Sequence, residues 1–252
     1  MRYLARKQYV RSIATALVFF LGLIVPTMIS QAQSFGNPGV VPPNARAYGL
    51  TYGQWSARHW QWVYSMSENQ NPLTDTADCS AGQSGPVWFI GGNFAPTVSG
   101  SNVVGNANRH CMVPAGKALF FPIIDSECSQ VEGNGTTDAE FRACAKFVTD
   151  HVKNLRATVD GVDIQNLLNY RVQSPLFYFG PMPDNNLLQF YGYMAPAGTT
   201  SPSVSDGVFL MLSPLSRGAH TIHFEGELVL TTPQDPFDLT FSLDITYTII
   251  VV

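Results

Sequence analysis

Between Phe237 and Tyr247 the chain alternates without a break. Phe237, Leu239, Phe241, Leu243, Ile245 and Tyr247 fall on one side, and Asp238, Thr240, Ser242, Asp244 and Thr246 on the other. Successive side chains of a strand point to opposite faces, so this run predicts a strand with one apolar and one wet face, the mark of an antiparallel sheet packed on a single side. Helical spacing would scatter the same residues around the whole circumference. Residues 157–164 read as a hairpin turning at Asp160-Gly161, residues 208–212 as a core strand, and residues 221–228 as its partner after a turn at Arg217-Gly218. Earlier, residues 86–90 read as a buried strand closed by Gly91-Gly92, and residues 116–125 as a second strand region bent at Pro122. The Gly-, Asn- and Ser-rich stretch between them reads as a loop.

Two segments have helical spacing instead. Thr51 and Gln54 form a capping box ahead of Tyr52, Trp55, His59, Trp62 and Met66, which share one face; Trp60 and Tyr64 fall off it. Thr137 and Glu140 form a second box ahead of the stripe Phe141, Cys144, Ala145, Val148, Val152 and Leu155. The fold class expected is mainly β: an antiparallel β-sandwich or jelly-roll-like domain, with α-helices near 51–66 and 137–155 packed at one edge.

The N-terminus sets the compartment. Arg2, Arg6, Lys7 and Arg11 precede an apolar run over residues 13–29, broken by Pro26 and closing on Ser30-Gln31-Ala32. These are the charged, apolar and small-residue regions of a secretory signal peptide with cleavage after Ala32. The apolar core is shorter than the roughly 20 residues a spanning helix needs. Residues 1–32 are therefore expected to be a signal peptide, 33–50 an extended lead-in and 51–252 a single β-rich domain, exported to the periplasm or secreted and not integral to a membrane once cleaved. Cleavage removes four of 14 basic residues and none of 18 acidic ones, leaving a net charge of −8. That balance excludes nucleic acid as a partner. Four cysteines, all after residue 32, read as two disulfides in an oxidising compartment. Of the three pairings, the sequence neighbours Cys79–Cys111 and Cys128–Cys144 need least rearrangement, closing loops of about 32 and 16 residues.

Four blocks carry a resemblance: Trp55-Ser-Ala-Arg-His-Trp-Gln-Trp62, Cys79-Ser-Ala-Gly-Gln-Ser-Gly-Pro-Val-Trp-Phe89, Cys111-Met-Val-Pro-Ala-Gly-Lys-Ala-Leu-Phe-Phe-Pro122, and residues 206–223. Together they resemble a group of exported, mostly bacterial proteins with no assigned activity. That pattern often carries a tryptophan before the position of Trp60, where this chain has His59, so no role for a tryptophan there carries over.

The sequence holds no Gly-x-Ser-x-Gly elbow, His-Glu-x-x-His, phosphate loop or Cys-x-x-Cys. Three sets of residues could still carry chemistry. His223, Glu225 and Glu227 share one strand face and form a ligand set suited to a transition metal, although period-2 polarity explains them without a ligand, as the solvent side of an amphipathic strand, and that plainer reading is preferred. Asp125 and Glu127 could divide acid and base roles if their environments separate their pKa values. Trp60 and Tyr64 could offer flat surfaces to sugar rings. His59, within the aromatic face, reads as a core histidine with one ring nitrogen bonded to backbone, and Trp88 as core. No cofactor is expected. The function expected is a non-catalytic exported domain binding a glycan or a surface protein. The alternative is a hydrolase of polysaccharide or cell-wall polymer using Asp125 and Glu127, or the His223 cluster.

Overall fold

Residues 118–124, Ala-Leu-Phe-Phe-Pro-Ile-Ile, are apolar at every position, so a strand made from them must be covered on both faces. That requirement organises the molecule. The computed structural model describes residues 37, 39–74 and 78–252. The expected signal peptide lies outside the described residues. In chain order the elements are α1 (Tyr52–Val63), β1 (Val87–Phe89), β2 (Thr97–Ser99), β3 (Asn102–Val113), β4 (Ala118–Ser129), α2 (Asp138–Thr149), β5 (Val152–Val159), β6 (Val162–Asp163), β7 (Arg171–Gln173), β8 (Phe177–Phe179), α3 (Leu187–Phe190), β9 (Ser201–Leu212), β10 (Gly218–Leu230) and β11 (Leu239–Val251).

The strands form two sheets, one ordered β1-β4-β9-β7 with β8 also on β9, the other β2-β3-β11-β10-β5-β6. The chain is mainly β in a sandwich-like arrangement. Most pairs are antiparallel, but β1 runs parallel to β4 and β3 parallel to β11. Phe121 of β4 meets Phe224 of β10 across the sandwich at a ring separation of 5.1 Å. Its neighbour Phe120 points the other way, onto Tyr52, Trp55 and His59 of α1. Further along β4, Ser126 donates to Ala145 O of α2 at 2.9 Å, and Cys128 is bonded to Cys144. Ser126 and Cys128 are in phase with Ile124, which lies under Gly226 of β10. The helices thus cover opposite faces of the inner strands β4 and β9, α1 on one and α2 beside the second sheet on the other. They do not gather at one edge, because β4 leaves apolar surface on both sides.

Both capping boxes form: Gln54 N donates to Thr51 Oγ1, and Thr51 N to Gln54 Oε1. The Thr137–Glu140 box is built alike. The second helix stops at Thr149 rather than near 155. Val152 and Leu155 belong to β5, where pairing with β10 overrides the helical spacing. The hairpin β5–β6 turns at Asp160 and Gly161, both with positive φ. Residues 102–113, expected to be loop, are the long strand β3. Polar and small side chains on both of its faces hide it from hydropathy, and the ladder with β11 holds it. In β11 the alternation is real from Leu243 onward, with Ile245, Tyr247, Ile249 and Val251 buried; Phe237 lies before the strand and is exposed.

Disulfides join Cys79 to Cys111 and Cys128 to Cys144. The lead-in is anchored where Val41 N donates to Met211 O at 2.8 Å and Tyr52 Oη donates to Val41 O. No helix among the described residues is long and apolar enough to cross a membrane.

Candidate functional site

The register of β4 against β9 slips between Pro122 and Ile124, so Ile123 is an extra residue with no partner opposite. A bulge of this kind moves every following side chain to the other face. Phe120 and Pro122 face α1 before it; after it, Asp125 and Glu127 do. The bulge therefore delivers two carboxyl groups to the underside of an aromatic helix. Because β1 pairs only with residues 118–120, the carboxyl-bearing half of β4 is left beside an opening. Loop 91–96, α3 and the residues following it, and the start of β11 close that opening into a cavity of about 250 Å³.

Trp60 and Tyr64, expected to stand exposed, are buried at 7% and 4% of their full exposure, because the cavity walls wrap the side of α1 that the main aromatic face leaves free. Their polar tips meet the two acids. Trp60 Nε1 donates to Asp125 Oδ2 at 2.8 Å, and Tyr64 Oη to Glu127 Oε2 at 2.8 Å. Ser203 Oγ donates to Glu127 Oε1. The rings are packed too: Trp60 lies 5.4 Å from Tyr64 and 6.0 Å from Phe94, and Tyr64 lies 4.3 Å from Phe179.

Burial pushes Asp125 up to about 7, against the Trp60 hydrogen bond that lowers it, and Asp206 adds to the rise. Burial also lifts Glu127 well above the carboxylate range, with Glu132 beside it raising it further. Near neutral pH Asp125 is poised between its two forms, and Glu127 is held toward its protonated form. The Tyr64 hydroxyl is driven up by the same burial and by Glu127.

His59 sits behind this wall as the core histidine its position suggested. Its Nε2 lies 3.1 Å from Ile90 O, and since that oxygen can only accept, Nε2 carries the proton. Nδ1 is then a bare acceptor, buried and without a partner. Burial lowers the ring to about 4, so it is neutral. Trp88 is core, as expected.

The second candidate set is not part of this cavity. His223, Glu225 and Glu227 face outward on β10, as an amphipathic strand requires. The structure regroups them. His223 Nε2 lies 2.9 Å from Asp244 Oδ1, and the ligand atoms of His223, Glu225 and Asp244 lie within 4.8 Å of one another. Glu227 instead accepts from Asn154 Nδ2 at 2.5 Å, while Arg156 approaches Glu225 at 3.8 Å. Asp244 was missed because it comes from β11, through the Glu225–Asp244 pairing. Any metal on this face would be held by His223, Glu225 and Asp244.

Sequence reasoning also missed Glu132 and Tyr191 as cavity residues; they come from loops, and no spacing links them to α1. No family model matches the chain, and no curated protein matches it.

Proposed function

We propose that the protein is an exported, non-catalytic binding domain that takes a carbohydrate group into the cavity between α1, β4 and α3. The observation that carries this is the Trp60–Asp125 pair. An indole forms the wall beside a carboxyl group whose second oxygen has no hydrogen bond among the described residues, an apolar surface next to a directed acceptor. Sugar rings need both. Export rests on the expected signal peptide, the two disulfides and the resemblance to exported proteins. A surface protein as partner is the other form of the same reading, reached through a glycan it displays.

One observation favours a hydrolase. Asp125 and Glu127 are two residues apart on one strand face, about 6.4–6.8 Å along the strand, and their surroundings differ, Trp60 bonding one and Tyr64, Ser203 and Glu132 the other, a difference that suits acid and base. Against it, protein donors already engage both oxygens of Glu127.

The test is a screen of polysaccharides and peptidoglycan with wild type and Asp125→Asn, scoring both retention and released product. Retention without product, lost in the variant, supports binding. Turnover that disappears in the variant replaces it with the hydrolase. Retention unaffected by the variant removes the cavity from the function.

A further inference from the structure

The side chains lining the cavity divide sharply into engaged donors and open acceptors. Trp60 Nε1 is given to Asp125, Tyr64 Oη to Glu127, His59 Nε2 to Ile90 O, and Asn93 Nδ2 to Asn106 O; the Tyr191 hydroxyl is given to Phe94 O. What remains on the acceptor side is the second oxygen of Asp125, with Glu132, which accepts from Ser129 Oγ and bonds to Glu127, beside it. Among the described residues no lysine or arginine lines the cavity, while three carboxyl groups do. Four aromatic residues, Trp60, Tyr64, Phe94 and Tyr191, are among the lining, and aromatic rings attract a cation. An ammonium group is all donor and no acceptor, so it matches both the charge and the hydrogen-bonding polarity of this lining.

We propose that the cavity selects a ligand carrying a cationic amino group, an amino sugar with its amine free rather than N-acylated, neutral or acidic. This rests on the carbohydrate reading above and narrows it. An N-acyl group would bring a carbonyl acceptor against acceptors. A uronate would bring another carboxyl group into a lining that already holds three. At about 250 Å³ the cavity is below the roughly 300–1,000 Å³ of drug-sized sites, which suits one ring or one head group. A cation beside Asp125 favours its ionised form, so binding should release a proton near neutral pH. Besides Asp206, which bears on Asp125 from β9 and is paired with Arg171 of β7, the titratable groups lining the cavity are His59 of α1, Tyr64 at its C-terminal cap, Glu127 on the same strand, Glu132 from the next loop and Tyr191 after α3.

The experiment is a calorimetric titration of the full chain at pH 7.5 with glucosamine oligomers, their N-acetylated counterparts and glucose oligomers of equal length, and with tetramethylammonium. The expected result is at least tenfold tighter binding of the free-amine oligomers than of either counterpart, with competition by tetramethylammonium. Asp125→Asn should remove that preference. A wild-type measurement at pH 5.5, where Asp125 is protonated, should weaken tetramethylammonium severalfold without any change of sequence. Equal or tighter binding of the acetylated or neutral oligomers overturns the amine preference and leaves the carbohydrate reading standing. Binding of tetramethylammonium without any oligomer keeps the cation preference and overturns the carbohydrate. No binding by any of the four overturns both.

Discussion

Trp60 Nε1 donates to Asp125 Oδ2 at 2.8 Å, joining residue 60 of a helix to residue 125 of a strand across the wall of a cavity. The indole is the one neighbour that holds the Asp125 pKa down while burial and Asp206 push it up. Trp60→Phe should therefore raise Asp125 above about 7, visible as a shifted carboxyl titration in infrared or NMR spectra. Loss of the bond should cost about 1–3 kcal/mol, since it leaves a buried acceptor unmatched. An unshifted titration would show that the bond does not form in solution.

Asp125→Asn isolates the effect of that burial on stability. A carboxyl group whose pKa rises from 3.8 to about 7 on folding stabilises fully below about 4, and that contribution is lost as pH rises through 7. Asparagine stays neutral throughout. The variant should gain in melting temperature relative to wild type between pH 4 and 8, with the difference levelling off above 7. A difference that is constant across this range would place Asp125 in water rather than in the cavity wall.

Gly207 stands opposite Asp125 in the β4–β9 ladder, and a Cβ on it would sit 2.2 Å from Asp125 Cβ and 2.9 Å from Ile124 O. Gly207→Ala must push the strands apart beside the bulge. Overpacking of this kind costs about 1–3 kcal/mol, and the displaced Asp125 should bind any cavity ligand more weakly. Denaturant unfolding measures the first effect and titration the second; an alanine variant as stable as wild type would mean the strands are not so close.

The Cys128–Cys144 bond ties α2 to β4 across 16 residues of sequence. Replacing both cysteines by serine should cost about 3 kcal/mol in the chain-entropy account. Hydrogen exchange should rise first in α2, which packs on β9 and β4 through a small separate cluster of Phe141, Ala145 and Val204.

The outward acids of β10 should behave differently. Glu225→Gln with Glu227→Gln removes an ion pair at 3.8 Å and one hydrogen bond to Asn154. Exposed changes of this kind alter stability by about 0.5 kcal/mol or less. Cavity binding should be unchanged, and lost turnover in this variant would move the chemistry to the wet face.

Much of the strand and helix content is legible from local chemistry: the capping boxes, the Asp160-Gly161 turn, the strict alternation of β11 and the cysteine neighbours. Each depends on residues a few positions apart. The strand β3 was not legible, since residues such as Asn102, Asn106 and Asn108 show no apolar period and owe their conformation to a partner more than a hundred residues away.

The candidate site divides in the same way. Asp125 and Glu127 could be singled out as a carboxyl pair, and His59 as a core histidine, because residue type and spacing say that much. Their meeting with Trp60 and Tyr64 could not be read off, nor could the burial of those two rings. Helical periodicity reports which residues share a face of α1, but it does not report what covers the other side. A single unpaired residue at Ile123 decides which face of β4 carries the acids, and a bulge exists only in relation to the strand opposite. The sequence by itself determined the class of fold, the expectation of export and the strands with a wet face, because those follow from local periodicity and composition. Only the tertiary structure decided that two acids and two aromatics enclose one cavity, because burial and register are properties of neighbours distant in the chain.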